Sequence, residues 1–269
     1  MRKTLLFLLA YILMGLNSFA QQDKAKANRA LWTNLGLGFT IADSYDNGTV
    51  PFHIKGIGTV AAPSATYRWK RYETQLEFRS FNTTLAYPSG TGTNLNLNYG
   101  FLYRFHDSQS NRWHHWAGGD LEGFFDIRQI PALQNASSNL SAFSTLGAVW
   151  KVEFDFAFNK DKTHNWLTAY GKVGLPIVGV AFRPDFSYVS NGVGMVSSWE
   201  LLTAEHHTFT KFFPGCNTTL GLSLNLKNGN RIALDYRWDY LTTGKKDIYR
   251  YDNAFHSANL TFMFNIFRR

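Results

Sequence analysis

Glu205, His206 and His207 form the densest combination of acid and imidazole in the chain. A carboxylate beside two imidazoles suits metal binding or the activation of a water, but a metal centre needs a further ligand at a recognisable spacing and none follows. His256 and Ser257 offer a base and a nucleophile for hydrolysis. Neighbours on an extended strand point to opposite faces, so this pair can meet only across a bulge, and a regular strand predicts an outward histidine and an inward serine. No HExxH, GxSxG, GxGxxG or phosphate-loop pattern occurs, and the single cysteine, Cys216, reads as a packed small side chain. These residues predict neither a metal nor a cofactor. Any chemistry they carry depends on the elements that hold them.

Those elements announce themselves by a period of two. From Asn94 to Phe105, the residues Leu95, Leu97, Tyr99, Phe101, Tyr103 and Phe105 share one parity. The same alternation returns in 146–158, 219–226 and 231–240, and each run is a strand with one apolar face. The runs are about 10 to 15 residues long against a usual 5 or 6 in soluble sheets, a length that suits a tilted strand crossing a bilayer. Strands are predicted over 31–43, 58–69, 72–85, 93–105, 113–128, 139–158, 165–184, 213–227, 230–243 and 253–267. This gives about ten strands, with eight or twelve left open, in a closed antiparallel transmembrane barrel.

The chain has 269 residues, 45% hydrophobic and 17% charged, with a net charge of +8. That excludes a disordered chain, and one cysteine excludes a disulfide scaffold. Residues 1–20 read as an export signal: Arg2 and Lys3, an apolar stretch from Leu5 to Leu13, and Ser18 and Ala20 at the small-residue cleavage site. An uncleaved anchor is the alternative. Residues 21–269 then form one barrel domain, and the charge falls to about +6. Much of that surplus falls at a rim (Lys24, Lys26, Arg29, Lys70, Arg71, Arg268 and Arg269), so no nucleic-acid partner is expected.

Inward parity assigns to the lumen Arg68, Glu73, Glu77, Arg79, Arg104, Asp120, Glu122, Asp126, Arg128, Lys151, Glu153, Asp155, Lys172, Arg231, Asp235, Arg237 and Asp239. Nine acids face eight bases, and so balanced a set is expected to interlock as a structural plug. A soluble exported sandwich also alternates, but the apolar parity here is aromatic-rich and nearly free of charge over consecutive strands. Links after the even-numbered strands are predicted to be short, and those after the odd-numbered strands (44–57, 86–92, 129–138, 185–212 and 244–252) mostly longer, the asymmetry of a barrel with periplasmic turns and outer loops. Extensions at Gly179–Phe182 and Phe209–Phe213 would make a projecting hairpin. His114 and His115, between Trp113 and Trp116, read as part of an aromatic interfacial belt.

The final strand, Asn259 to Phe267, resembles the aromatic-ended terminal strand that bacterial outer-membrane β-barrel proteins present to the barrel assembly machinery. A leader ending in Ala20 before Gln21 and Gln22 is similar to exported proteins of the Bacteroidota type. The resemblance implies the outer membrane of a Gram-negative bacterium and contact with its lipid and lipopolysaccharide. Lys245, Lys246 and Arg250, in the last outer loop, are the candidates for lipid phosphate. The expected function is binding, or an accessory role beside an envelope protein partner, through the outer loops. A lipid hydrolase or protease with a rim site, using Glu205, His206 or His207 or a bulged His256 and Ser257, is the second reading. A narrow, porin-like channel is the third.

Overall fold

The computed structural model describes residues 29–46, 50–87, 89–107, 112–136, 138–156, 166–182, 206–209, 215–245 and 248–266. The leader predicted at 1–20 lies outside them. Among the described residues, eleven strands run in chain order: β1 Arg29–Asp46, β2 Val50–Trp69, β3 Tyr72–Tyr87, β4 Gly90–Asp107, β5 Trp113–Gln129, β6 Ser138–Phe156, β7 Leu167–Phe182, β8 His206–Phe209, β9 Gly215–Asn225, β10 Arg231–Lys245 and β11 Ile248–Asn265. A 3-10 turn at Pro131–Ala136 precedes β6. Neighbours pair antiparallel, and β1 pairs with β11 from Trp32 opposite Asn265 to Asp46 opposite Tyr251. With β6 also on β7, the sheet closes into a ten-stranded barrel. The short β8 pairs with the upper end of β7, Gly179 opposite Phe209 through Phe182 opposite His206, while β9 pairs with its lower part, Leu167 to Gly174. The extension foreseen for strand seven therefore exists, and its partner begins three residues earlier than the sequence suggested.

Closure follows from the alternation. Leu35, Leu37, Phe39 and Ile41 point out from β1, and Phe39 is 76% exposed. Leu76 and Phe78 on β3, Leu97 to Phe105 on β4, and Leu220, Leu222 and Leu224 on β9 continue the same exposed band. So large an apolar surface is stable only against lipid or another apolar surface. On β1 the band runs from 33 to 41, about 30 Å of strand and about 23 Å of height at a tilt near 40°, close to the ~25 Å apolar band of an outer-membrane barrel. Aromatic rings edge it. Trp69, Tyr72, Phe101 and Tyr103 cluster at the lower, turn end, and Tyr236, Trp238 and His256 at the upper. His115, foreseen in such a belt, points outward and stacks on Trp150, whereas Trp116 and His114 face the lumen.

The lower turns carry their own chemistry. Gly229 adopts φ 83°, the left-handed conformation that glycine enters without strain, and its N–H donates to the Leu226 carbonyl at 2.9 Å. The Asn228 side chain accepts from the Asn230 N–H at 3.1 Å, and Leu226 bonds back to Asn230 at 2.8 Å, closing the link between β9 and β10. Lys70 takes φ 52° in the two-residue link between Trp69 and Tyr72.

The expected asymmetry of loop lengths does not hold. β1 and β2 are joined by 47–49, β3 and β4 by 88–89, and β10 and β11 by 246–247, whereas 157–166 joins β6 and β7 on the opposite rim. The strands continue above the apolar band as polar ladders, and alternation stops marking them where the outward residues cease to be apolar. Asp43, His53 and Lys55 show this on β1 and β2: His53 Nδ1 lies 2.8 Å from Asp43, and Lys55 Nζ 3.9 Å from it. The link over 183–205 remains the longest at the upper end.

The band makes a quantitative prediction. Leu37→Arg, at its middle, will destabilise the barrel by roughly 2–4 kcal/mol, and Thr84→Arg, above it, by roughly 0–1 kcal/mol. Reversible urea unfolding in lipid vesicles measures both, and equal costs would misplace the band.

Candidate functional site

All seventeen charged residues of the inward set sit on the lumen parity, and the structure sorts them into tiers. At the lower end Arg68 of β2 pairs closely with Glu73 and reaches Glu153 of β6 at 2.9 Å. Lys151 closes the square, 2.8 Å from Glu73 and 2.9 Å from Glu153. Two cations thus share two carboxylates from β3 and β6, and each charge meets two of opposite sign. The indole of Trp116, fully buried, lies among Arg68 at 4.7 Å, Arg104 at 5.4 Å and Lys151 at 5.8 Å from its ring centre. Such contacts add attraction for cations that are partly removed from water.

The next tier crosses the lumen. Arg237 of β10 pairs with Glu77 at 2.8 Å and Asp235 at 2.9 Å. Arg79 of β3 pairs with Asp239 at 2.5 Å and approaches Glu122 at 3.5 Å and Glu77 at 3.8 Å. Amides complete the acids: Asn96 and Asn217 donate to Glu122, the latter at 2.7 Å, and Asn259 donates to Asp235 at 3.1 Å. Asp120 accepts from Asn98 at 3.2 Å. A Cβ at Gly147 would come within 2.6 Å of the Asp120 carboxylate, so glycine leaves room for it. Asp155, nearer the lower rim, accepts from Thr168 at 2.7 Å and lies 3.4 Å from His114. Lys172 and Arg231 face the lumen without an ion pair among the described residues, although Arg231 lies 4.6 Å from the Trp32 ring centre.

Above these tiers the lumen turns apolar. Phe81, Phe124, Phe143, Tyr251 and Phe255 pack with Ala42, Val60, Ala181 and Leu241, and these residues come from eight of the ten barrel strands. Phe81 and Phe255 stack at 4.9 Å, and Phe143 and Tyr251 meet at 4.8 Å. Higher still, Asp126 pairs with Arg128 and accepts from the Tyr251 hydroxyl at 2.7 Å and from Asn94 at 2.6 Å. Ile54, Leu85, Ile130 and Leu133 form a last apolar cluster. Sequence reasoning missed the aromatic layer because it treated the inward parity as the charged one. The signal was present, since Phe81 follows Glu77 and Arg79 in step and Phe124 stands between Glu122 and Asp126.

His256 and Ser257 do not come together. His256 points outward, its Nδ1 2.6 Å from the Tyr236 hydroxyl, while Ser257 is buried in the lumen and accepts from Asn259 at 3.4 Å. The strand is regular there, so no dyad forms. Glu205 lies outside the described residues; His206 and His207 stand in β8 opposite Phe182 and Ala181. Arg250 is committed to Asp252 at 2.5 Å and lies 5.5 Å from the Tyr45 ring centre. Lys245 ends β10 opposite Ile248, and Lys246 falls outside the described residues. Among the described residues, no three His, Cys, Asp or Glu side chains converge as metal ligands.

No known family and no curated protein matches the sequence. Its likenesses are bacterial outer-membrane β-barrel proteins. The chain is similar to Neisserial surface protein A, with 12% identity and a TM-score of 0.41 over 87% of this chain and 97% of that one. It is similar to the translocator domain of the autotransporter NalP from Neisseria meningitidis, at 8% identity and a TM-score of 0.36 over 97% and 96%. The attachment invasion locus protein Ail of Yersinia pestis, solved with the heparin analogue sucrose octasulfate, follows at 11% identity and a TM-score of 0.29 over 87% and 99%.

The middle tier depends on one guanidinium. Arg79→Ala leaves Asp239 and Glu122 facing each other without their cation, and a loss of roughly 3–5 kcal/mol is expected for such a broken buried pair. Replacing Arg79 and Asp239 together, by Met and Leu, will recover a substantial part of it. Unfolding free energies of the two variants test this, and a double variant as weak as the single one would remove the pairing as the cause.

Proposed function

We propose that this chain is a small outer-membrane barrel of a Gram-negative bacterium, closed to passage through its lumen, that works as a binding module or as an accessory subunit of an envelope complex through its upper end. The observation that carries the reading is the aromatic layer. Side chains from eight strands meet across the lumen, with an ion-paired tier directly beneath. A solute crossing the barrel would have to displace both, at the combined cost of separating buried charges and packed rings. Function is then left to the ends, and the upper end offers the projecting hairpins and the longest link, 183–205.

The exposed apolar band supports the membrane setting, and the leader at 1–20, of the Bacteroidota type, supplies the export route. In this setting the turn end and the described chain ends face the periplasm, and the last strand is what the assembly machinery engages. Lys245 and Lys246, at the upper hairpin of β10 and β11, are the cations we assign to lipid phosphate, including that of lipopolysaccharide; Arg250, already paired with Asp252, contributes less.

Two measurements test this reading. Planar bilayers containing the protein will conduct no more than lipid alone, and discrete single-channel steps would replace the reading with a channel. Native capture of the tagged protein from outer membranes in mild detergent will retain an envelope protein in fixed ratio, and replacing 186–204 with a short Gly-Ser linker will release it. Retention unchanged by that replacement would move the binding surface elsewhere.

A further inference from the structure

The lower half of the lumen is not filled. A cavity of about 110 Å³ extends from the rim residues Trp32, Arg231 and Met263 up to Glu77, Arg237 and Lys172. At ~10–15 Å³ for each enclosed water, it holds several waters or one ion of the size of acetate or phosphate. The aromatic layer closes the lumen above it, so whatever enters comes from the turn end.

The charges around this cavity do not cancel. Its carboxylates are Glu73, Glu77, Glu153 and Asp235, and each is 2.9 Å or less from a cation. Arg68, Lys151 and Arg237 are the cations so engaged. Lys172 and Arg231 are left over, with neither an ion pair nor a hydrogen bond among the described residues, although both line the cavity. Five cations therefore face four carboxylates. The Ser223 hydroxyl, on a residue 3% exposed in the same wall, also lacks a partner. An ammonium without a counter-ion in so narrow a lumen is costly; of the carboxylates that act on Lys172, Glu77 is already paired with Arg237, and Asp120 stands beyond ion-pair distance and is held by Asn98. Within the wall of this cavity, the complement that Lys172 and Arg231 lack is negative.

We propose that the lower lumen is a binding site for a small oxyanion, a carboxylate or a phosphate, that enters past Arg231 and is held by Lys172. The Thr219 hydroxyl, on the residue opposite Lys172 in β9, lies in the same wall and is placed to donate to it. The site is independent of what the upper hairpins bind, because the aromatic layer separates the two.

The test uses the folded, full-length mature barrel in detergent. Its thermal unfolding midpoint is followed while acetate, inorganic phosphate or chloride replaces a bulky sulfonate at constant ionic strength, since a ligand that binds only the folded state raises the midpoint with its concentration. A saturable rise is expected with acetate or phosphate. Lys172→Met should weaken the apparent affinity at least tenfold and Arg231→Gln several-fold, while Lys55→Ala on the outer face leaves it unchanged. A midpoint indifferent to all three anions, or a response preserved in Lys172→Met, overturns the site. Chloride acting as strongly as the oxyanions overturns the ligand class. If Lys172→Met does not fold, Lys172→Arg with Arg231→Gln decides: a saturable response kept by the first and weakened by the second supports the site, and equal responses overturn it.

Discussion

Closure of the sheet forces every second side chain of ten strands into one narrow lumen. In a soluble sheet a charged residue on the polar face meets water at no cost, but the same residue in a closed barrel of this width meets the opposite wall. The seventeen charges foreseen there, together with Asp46 of β1, then have to be arranged against one another. The structure does this locally, in tiers, because Coulomb attraction between groups a few ångströms apart in a medium of low polarity outweighs any long-range balance. Glu73 sits between Arg68 and Lys151, Arg237 between Glu77 and Asp235, and Arg79 serves Asp239, Glu122 and Glu77 at once. The donors on either side are mostly amides and hydroxyls, which complete the carboxylates without adding charge.

The same confinement explains the bulk of the inward set. A tier of ion pairs needs side chains long enough to meet across the lumen, and arginine, glutamate and lysine supply them. Where the chain places phenylalanines on that parity, rings fill the cross-section instead, and small inward residues such as Ala42 and Ala181 make room for them. Where neither occurs, as around Ser64, Thr66 and Thr219, the lumen stays open and the lower cavity results. Filling is thus decided strand by strand, by the size of the inward residue at each height.

Period-two alternation made the architecture legible, because one parity of Leu95 to Phe105 or of Leu220 to Leu224 has no other explanation at that length. Their facing followed directly, down to the opposite orientations of His256 and Ser257. Three features were not legible. The ends of strands were lost where outward residues turned polar, as at Asp43 and His53, so short hairpins looked like loops. The second half of the stave that pairs with β7 divides into β8 and β9, and the register changes by three residues between Gly174 opposite Asn217 and Gly179 opposite Phe209, which no periodicity encodes. Which charges pair was hidden as well, because partners such as Arg79 and Asp239 lie 160 residues apart in sequence and meet only across the closed lumen. For the same reason a count of nine acids and eight bases concealed that Lys172 and Arg231, and Asp120 among the acids, have no ion pair among the described residues.

The aromatic layer and the charged tiers are not separate solutions stacked by chance. Arg79, which organises the middle tier, lies 5.6 Å from the ring centre of Phe81 on its own strand, and Arg128, which pairs with Asp126 above, lies 5.3 Å from that of Tyr251. The rings therefore receive a guanidinium from each side, and an aromatic face attracts such a cation where an aliphatic one would only exclude water from it. Tyr251 adds a hydroxyl that donates upward to Asp126 while its ring packs on Phe143. A layer built from leucine would fill the same volume but leave both guanidinium faces without this contact and Asp126 one donor short. Rings at this height reconcile an apolar seal with the charges that closure forces against it.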